Sequence, residues 1–290
     1  MKIVDVLIPF HNDSDGFRKT IMSVRRQTLA QQLRIVVVDD GSSGDHAANV
    51  GSMLEQSGLE YTLKRNVQNR GRPYTRNVLL DCMESDFVAW LDSGDEWFPD
   101  KIERQLASLD QAGVDKDTDD GWATCGYEWR EDGVEPQRIT QKTDGDITKA
   151  LLKGKELRAY LWTVLAPKVA MRRVGYFDAD LPRLQDLDFF LRFASAGGRL
   201  VQPDVTMPLC AYNKEHTGRS ASEINAAYDR IFLKHDRIYR QYGRRFRVEC
   251  QRRAKKNCAR FAVANGEVQL AKSLNRQRNA ITWRFLLGLS

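Results

Sequence analysis

Phe87-Val-Ala-Trp-Leu-Asp-Ser-Gly-Asp-Glu-Trp-Phe-Pro99 opens as a short apolar and aromatic run, the pattern of a buried strand, and closes on two carboxylates. Ser93 and Gly94 separate Asp92 from Asp95. Residues this small let the backbone turn sharply and bring both acids to one point. Pro99 suits the first turn of a following helix, where its missing N–H costs nothing. Carboxylates just past the carboxyl end of a buried strand lie where open α/β sheets bind ligands. Hard oxygen donors of this kind suit Mg²⁺ or Mn²⁺ held together with a phosphate. The plainer reading of the same residues is a strand-ending Asp followed by a helix-capping Asp.

Upstream, the same strand-then-polar-loop pattern occurs twice more. Ile3 to Pro9 is a buried first strand, stopped by Pro9 and followed by the polar loop Phe10-His11-Asn12-Asp13. Asp15 to Gln27 places Phe17, Ile21 and Val24 on one helical face. Leu33 to Val38 is a second continuous apolar run, ending in Asp39-Asp40-Gly41-Ser42-Ser43. A helix over about 46–56 and a short strand near 61–63 come next. Strands alternating with helices imply parallel pairing and right-handed crossovers. Asn69-Arg70-Gly71-Arg72-Pro73-Tyr74-Thr75-Arg76-Asn77 then opens another helix. Its three arginines and positive helix end form a candidate anion site, or a solvated basic turn. Three loops, at 39–40, 70–76 and 92–95, are thus delivered to one rim of the sheet.

Downstream the pattern is less regular. Residues 99–112 read as an amphipathic helix, 115–120 as an acidic loop, and 122–130 with 134–141 as a hairpin turning at Glu131-Asp132-Gly133. Residues 162–166 read as a strand. A helix starting near Leu184 carries Asp186 in its first turn, where the helix end stabilises a carboxylate. Simple capping explains that residue equally well. Lys214, His216 and Arg219 occupy a glycine-containing basic loop suited to clamping a phosphate, or to solvation alone.

Composition sets the frame. The 290 residues are 42% hydrophobic and 29% charged, enough for a sizeable core. No apolar run approaches the roughly 20 residues of a membrane span. The first residues enter a strand at once, without a signal-peptide apolar region, and the expectation is a cytoplasmic protein. Five cysteines (82, 125, 210, 250 and 258) form no CxxC pair and read as small apolar residues in a reducing compartment. The net charge of +6 is uneven: residues 225–290 hold 16 Lys/Arg against 4 Asp/Glu, whereas residues 1–224 hold 29 against 35. The basic segment has helical periodicity over 225–242, 244–264 and 268–274, and ends in an apolar stretch containing Trp283. It is a helical appendage with a solvated basic face, or a surface for peripheral contact with an anionic membrane. No nucleic-acid-binding module accompanies the charge, so no nucleic-acid partner is expected.

Taken together, Pro9-Phe-His-Asn12, Val36-Val-Val-Asp-Asp-Gly-Ser42, Asn69-Arg-Gly71, Thr75-Arg-Asn77, Leu91-Asp-Ser-Gly-Asp-Glu-Trp97, Gly175-Tyr-Phe-Asp178 and Gln185-Asp186 resemble a family 2 glycosyltransferase. The resemblance covers residues 3–222. It implies an α/β GT-A fold, with a Rossmann-like, mostly parallel sheet flanked by helices and a C-terminal helical appendage. On this reading residues 1–222 are catalytic, with a nucleotide-binding half (1–98) and an acceptor half (99–222), and residues 223–290 form the basic helical region. It further implies that Asp39 hydrogen-bonds the base of a nucleotide-sugar donor, with Pro9, His11 and Asn12 beside the nucleotide. Asp40, Asn69, Gly71, Arg76, Ser93, Lys214, His216 and Arg219 are implied as further donor contacts. Asp92 is the first acid of the family's Asp-x-Asp motif, which meets both sugar and divalent metal. Gly94 stands where the main metal ligand belongs. Asp95 is expected to take over the Mg²⁺ or Mn²⁺ beside Asp92; the other outcome is weakened or lost metal binding. Asp186 matches the catalytic base, with Gln185 where many members have Glu. The implied activity is an inverting transfer of a sugar from a nucleoside-diphosphate sugar, UDP-linked by expectation, to a glycan or lipid-linked acceptor in surface polysaccharide synthesis. A non-catalytic nucleotide-sugar-binding protein with a degenerate metal site is the rival.

Overall fold

The computed structural model describes residues 2–204, 207–214 and 220–286. It divides into two compact units, Met1–Ala179 with Phe189–Glu215, and Asp180–Asp188 with His216–Ser290.

The first unit opens with β1 (Val4–Phe10), α1 (Ser14–Arg25), β2 (Leu33–Asp39), α2 (Gly44–Ser57), β3 (Glu60–Arg65), α3 (Arg72–Asp81) and β4 (Phe87–Trp90). β1 and β2 are buried along nearly their whole length, as continuous apolar runs require of strands covered on both faces. β1 lies between β2 and β4 and is parallel to both; β3 continues in parallel beyond β2. The chain therefore builds outward from β1 through β2 and β3, then returns to the far side of β1 at β4. That reversal is the topological switch point, and it opens a crevice at the carboxyl ends of β1 and β4.

The chain continues with β5 (Glu96–Trp97), α4 (Lys101–Gln111), β6 (Gly121–Ala123), β7 (Tyr127–Glu131), β8 (Val134–Ile139), α5 (Ile147–Lys153), β9 (Leu165–Pro167), α6 (Lys168–Val174), α7 (Gln185–Ser195, which belongs to the first unit from Phe189 onward), β10 (Arg199–Val201) and β11 (Cys210–Asn213). β9 runs antiparallel to β4 and β6, which makes a mostly parallel seven-stranded sheet in the order β10-β6-β9-β4-β1-β2-β3. A four-stranded sheet, β5-β11-β7-β8, lies beside it in sequence and carries the loop after β4 into β11. Two expectations need correction. The hairpin is only β7–β8; Trp122 belongs to the large sheet, where its ring stacks on Phe193 of α7 at 3.7 Å. A buried indole and a strand break three residues later look alike in sequence. Helix α4 begins at Lys101, so Pro99 precedes it. Lys101 itself is fully buried, donating to Gln105 Oε1 at 2.7 Å with its ammonium 4.3 Å from the Trp97 ring centroid. Burial pushes its pKa down.

The second unit holds α8 (Ala221–Lys234), α9 (Asp236–Gln241), α10 (Gly243–Ala264) and α11 (Val268–Leu286). Its small core draws on Ala221, Ile224, Cys258, Ala259, Ala262 and Leu274. Arg245, Arg252, Lys256, Arg260, Lys272 and Arg276 face solvent. The last helix runs to Leu286, well past the 268–274 that periodicity suggests. Among the described residues, no helix is long and apolar enough to cross a membrane. All five cysteines are buried free thiols.

Candidate active site

Three loops meet at the carboxyl edge of β1, β2 and β4, and their side chains hold one another. Asp39 ends β2 fully buried, accepting from Arg65 Nε at 2.8 Å and from the Ser42 N–H at 2.9 Å. Gly41 follows with φ +67, and a Cβ there would lie 2.4 Å from the Gln68 carbonyl carbon, so this turn requires glycine. Asp40 turns toward the neighbouring loop. Its two carboxylate oxygens accept the Arg70 and Gly71 N–H groups at 2.8 Å each, and Asn66 Nδ2 adds a third bond at 2.8 Å. Asp40 thus shapes the start of α3, whose Gly71 cap has φ 85. The loop after β1 joins in: Asn12 exchanges hydrogen bonds with Ser42 and Ser43, and Asn69 Nδ2 lies 3.0 Å from His11 Nε2. Pro9, the penultimate residue of β1, pairs with Val38 directly behind these loops.

At the switch point, Arg76 and Asp92 face each other. The guanidinium is buried beneath α3, and its Nη2 lies 3.1 and 3.2 Å from the two Asp92 oxygens. The Arg76 Cζ also lies 5.9 Å from the Trp90 ring centroid and 5.5 Å from that of Phe177. Burial alone would raise the Asp92 carboxyl; Arg76 and Arg72 outweigh it and hold the acid below the usual carboxylate range. Asp92 is therefore ionised, with its side chain 23% exposed at the rim. Ser93 Oγ crosses the crevice to Asp13 Oδ2 at 2.7 Å, tying this loop to the one after β1.

Asp95, expected beside Asp92 at the metal, is buried. It is 3% exposed, and its Oδ1 accepts the Asn213 N–H of β11 at 3.2 Å. The cause is the backbone at Gly94. Its φ of 92 is a left-handed conformation; its N–H donates to Thr20 Oγ1 at 3.0 Å and its carbonyl accepts from Asn213 Nδ2 at 2.7 Å. A residue with a side chain would be strained there, and the turn sends Asp95 inward. Among the described residues no group of three His, Cys, Asp or Glu side chains converges to hold an ion. Mg²⁺ and Mn²⁺ are commonly held by one or two carboxylates together with substrate phosphates. At this site such an ion would be held by Asp92 together with donor phosphate oxygens, while the Asp95 carboxylate is engaged with Asn213.

Asp186 lies half-buried in the first turn of α7, in the second unit, whereas the three loops belong to the first. Gln185 is buried and donates to the Pro182 carbonyl at 3.0 Å. Lys214 pairs with Glu131 at 2.5 Å at the end of β11. His216 and Arg219 lie outside the described residues. Residues that sequence reading passed over include Thr20 and Asn213, which shape the acidic loop from 74 and 119 positions away. An aromatic set was also passed over. Trp129 and Tyr212 lie 4.5 Å apart between ring centroids, Tyr212 and Trp162 5.8 Å, and Trp162 and Tyr160 5.1 Å. Trp129, Tyr160 and Tyr212 keep part of their rings exposed. The alternation of β7 hints at Trp129, but nothing local links it to Tyr160 or Tyr212.

Comparison with known proteins bears on this arrangement. The family model described as Glycosyl transferase family 2 matches residues 5–156, more than half of the chain. The chain belongs to glycosyltransferase family 2. Its fold is GT-A: a Pyrobaculum calidifontis mannosyltransferase, PcManGT, solved with GDP-Man and Mn²⁺, superposes with a TM-score of 0.63 at 18% identity over 97% of this chain and 80% of that one. S. aureus TarS in complex with UDP-GlcNAc gives a TM-score of 0.60 at 15% identity, covering 100% and 93%. Among curated relatives, the Escherichia coli UDP-Glc:alpha-D-GlcNAc-diphosphoundecaprenol beta-1,3-glucosyltransferase WfgD is 32% identical over 107 residues, 37% of this chain and 41% of its own. The family 2 chain spans 68% of the length of one further curated relative and 58% and 31% of two others.

Proposed function

We propose that this glycosyltransferase moves a hexose, with inversion, from a UDP-sugar to a lipid-linked or glycan acceptor in surface polysaccharide synthesis. The observation that carries the reading is the ionised Asp92, paired with Arg76 at the switch point and flanked by the Asp39–Ser42 and Asn69–Gly71 loops. A nucleoside diphosphate needs a polar socket for its base and positive charge for its phosphates. The buried end of β2 and the arginines at the start of α3 supply those two requirements. WfgD, whose name specifies a UDP-glucose donor and a diphosphoundecaprenol acceptor, supports the choice of donor base and acceptor class.

An acceptor hydroxyl is a poor nucleophile, so Asp186 takes its proton as the oxygen attacks the anomeric carbon. The bond from that carbon to the diphosphate breaks as the new one forms, and the nucleoside diphosphate leaves from the opposite face. A single displacement inverts the centre through an oxocarbenium-like state. Asp92 orients the donor, while Arg76 and Arg72 stabilise charge as it develops on the leaving group. A divalent ion at Asp92 would add Lewis-acid stabilisation of the diphosphate. The partly exposed rings of Trp129, Tyr160 and Tyr212 offer apolar faces to an acceptor sugar.

The test is a panel of UDP-, GDP- and CDP-sugars with a prenyl-diphosphate-linked sugar acceptor, with the product's anomeric configuration read by proton NMR. Transfer from a UDP-sugar with inverted configuration is the expected result. Binding of nucleotide-sugars without hydrolysis or transfer would establish the binding-only alternative instead.

A further inference from the structure

Residues 180–188, the segment that carries Asp186, form one compact unit with the C-terminal helices. One stripe of α8 and its end supply several ion pairs to this segment. Glu223 accepts from Arg183 Nε at 3.2 Å, Arg230 Nη2 lies 2.8 Å from Asp180 Oδ2, and Lys234 Nζ lies 2.9 Å from Asp188 Oδ1. Positions 223, 230 and 234 are seven and four residues apart, so they fall on one face of the helix. His235, which caps α8, adds Nε2 to the same Asp188 oxygen at 2.8 Å.

These links differ in weight. The Asp180 and Arg183 pairs are exposed, and pairs of that kind contribute little. Asp188 is 1% exposed and His235 6%. Removing Lys234 or His235 takes a donor from this buried carboxylate, a costlier loss than breaking an exposed pair. The backbone links this anchor to the base. The Asp188 N–H donates to the Leu184 carbonyl at 3.1 Å, closing the turn in which Asp186 lies. Leu184 has φ 59, a left-handed conformation that a residue with a side chain keeps only where its surroundings hold it.

We infer that the C-terminal helical unit positions the catalytic-base segment, with His235 and Lys234 as positioning residues acting through Asp188. This rests on the reading of Asp186 as base. The basic helices are therefore part of the working transferase.

The test compares His235→Leu, His235→Gln, Lys234→Met and Asp186→Asn in the full-length enzyme, measuring kcat, donor KM and UDP affinity by calorimetry. His235→Leu should lower kcat by about 10- to 100-fold, the scale of a misplaced catalytic group, with UDP affinity and donor KM unchanged. His235→Gln keeps a donor toward Asp188 and should recover most of the loss. Lys234→Met should produce a smaller loss with the same split, and it decides the matter if His235→Leu does not fold. Wild-type kcat in both the His235→Leu and Lys234→Met variants, or a parallel loss of UDP binding, would overturn the inference. If Asp186→Asn itself turns over normally, the base assignment fails and takes the positioning role with it. An inactive Asp186→Asn beside fully active His235→Leu and Lys234→Met variants refutes the positioning role alone.

Discussion

Arg76 Nη2 lies 3.1 Å from Asp92 Oδ1, with the guanidinium buried and the carboxylate at the rim of the crevice. This pair fixes an ionised acid at the point where the sheet topology opens its ligand site. Removing the acid should disable the donor site while leaving the fold intact. Asp92→Asn is expected to lower kcat/KM by about 100-fold and to lower the melting temperature as well, because the buried Arg76 loses this counter-charge. Steady-state kinetics beside a thermal melt checks this.

The same geometry separates Asp92 from Asp95. With Asp95 turned toward Asn213, Asp95→Asn should leave the effect of Mn²⁺ on UDP affinity unchanged. Asp92→Asn should abolish that effect. Calorimetric titration of UDP with Mn²⁺ and with EDTA reads both, and an Asp95→Asn variant that loses the metal effect would return Asp95 to the ion.

The aromatic set predicts a defect confined to the acceptor. Trp129→Ala should raise acceptor KM about three- to ten-fold, the weight of one aromatic contact, and leave donor KM unchanged. Initial rates with each substrate varied in turn would test it.

A structural pair sets the acid limit of the first unit. Arg34 Nε and Nη2 lie 2.8 and 2.9 Å from the Asp5 oxygens, which also accept from Ser85 Oγ at 2.6 Å. Burial works to raise the Asp5 carboxyl, but Arg34, Ser85 and two backbone N–H groups outweigh it and bring it below its ordinary value. A carboxyl depressed in the folded state contributes stability that is complete above the unfolded value of about 4 and is lost as pH falls through the lower folded one. Denaturant melts should therefore weaken below pH 4 in the parent. Asp5→Asn should cost about 1–3 kcal/mol at neutral pH, because the buried Arg34 then keeps only its pair with the exposed Glu84.

Much of this was legible in the sequence for identifiable reasons. Val36-Val37-Val38 and Phe87 to Leu91 are apolar without a break, so their strands and the acidic loops behind them can be read directly. The sense of Asp95 cannot be read that way. It depends on a left-handed Gly94 and on Asn213, two elements whose meeting no local pattern encodes. The place of Trp122 in the large sheet is not legible either, because alternation does not register a change of sheet. The grouping of 180–188 with α8 rests on pairs separated by 40 to 50 residues, invisible to any periodicity.

The most direct test of the central claim is transfer of labelled sugar from a UDP-sugar to a lipid-linked acceptor by the parent enzyme and by Asp186→Asn. UDP affinity should be measured on the same preparations. The account predicts that the variant binds UDP as the parent does and loses turnover by about 10²- to 10⁴-fold, the contribution of a general base. A variant that keeps most of its turnover would contradict it.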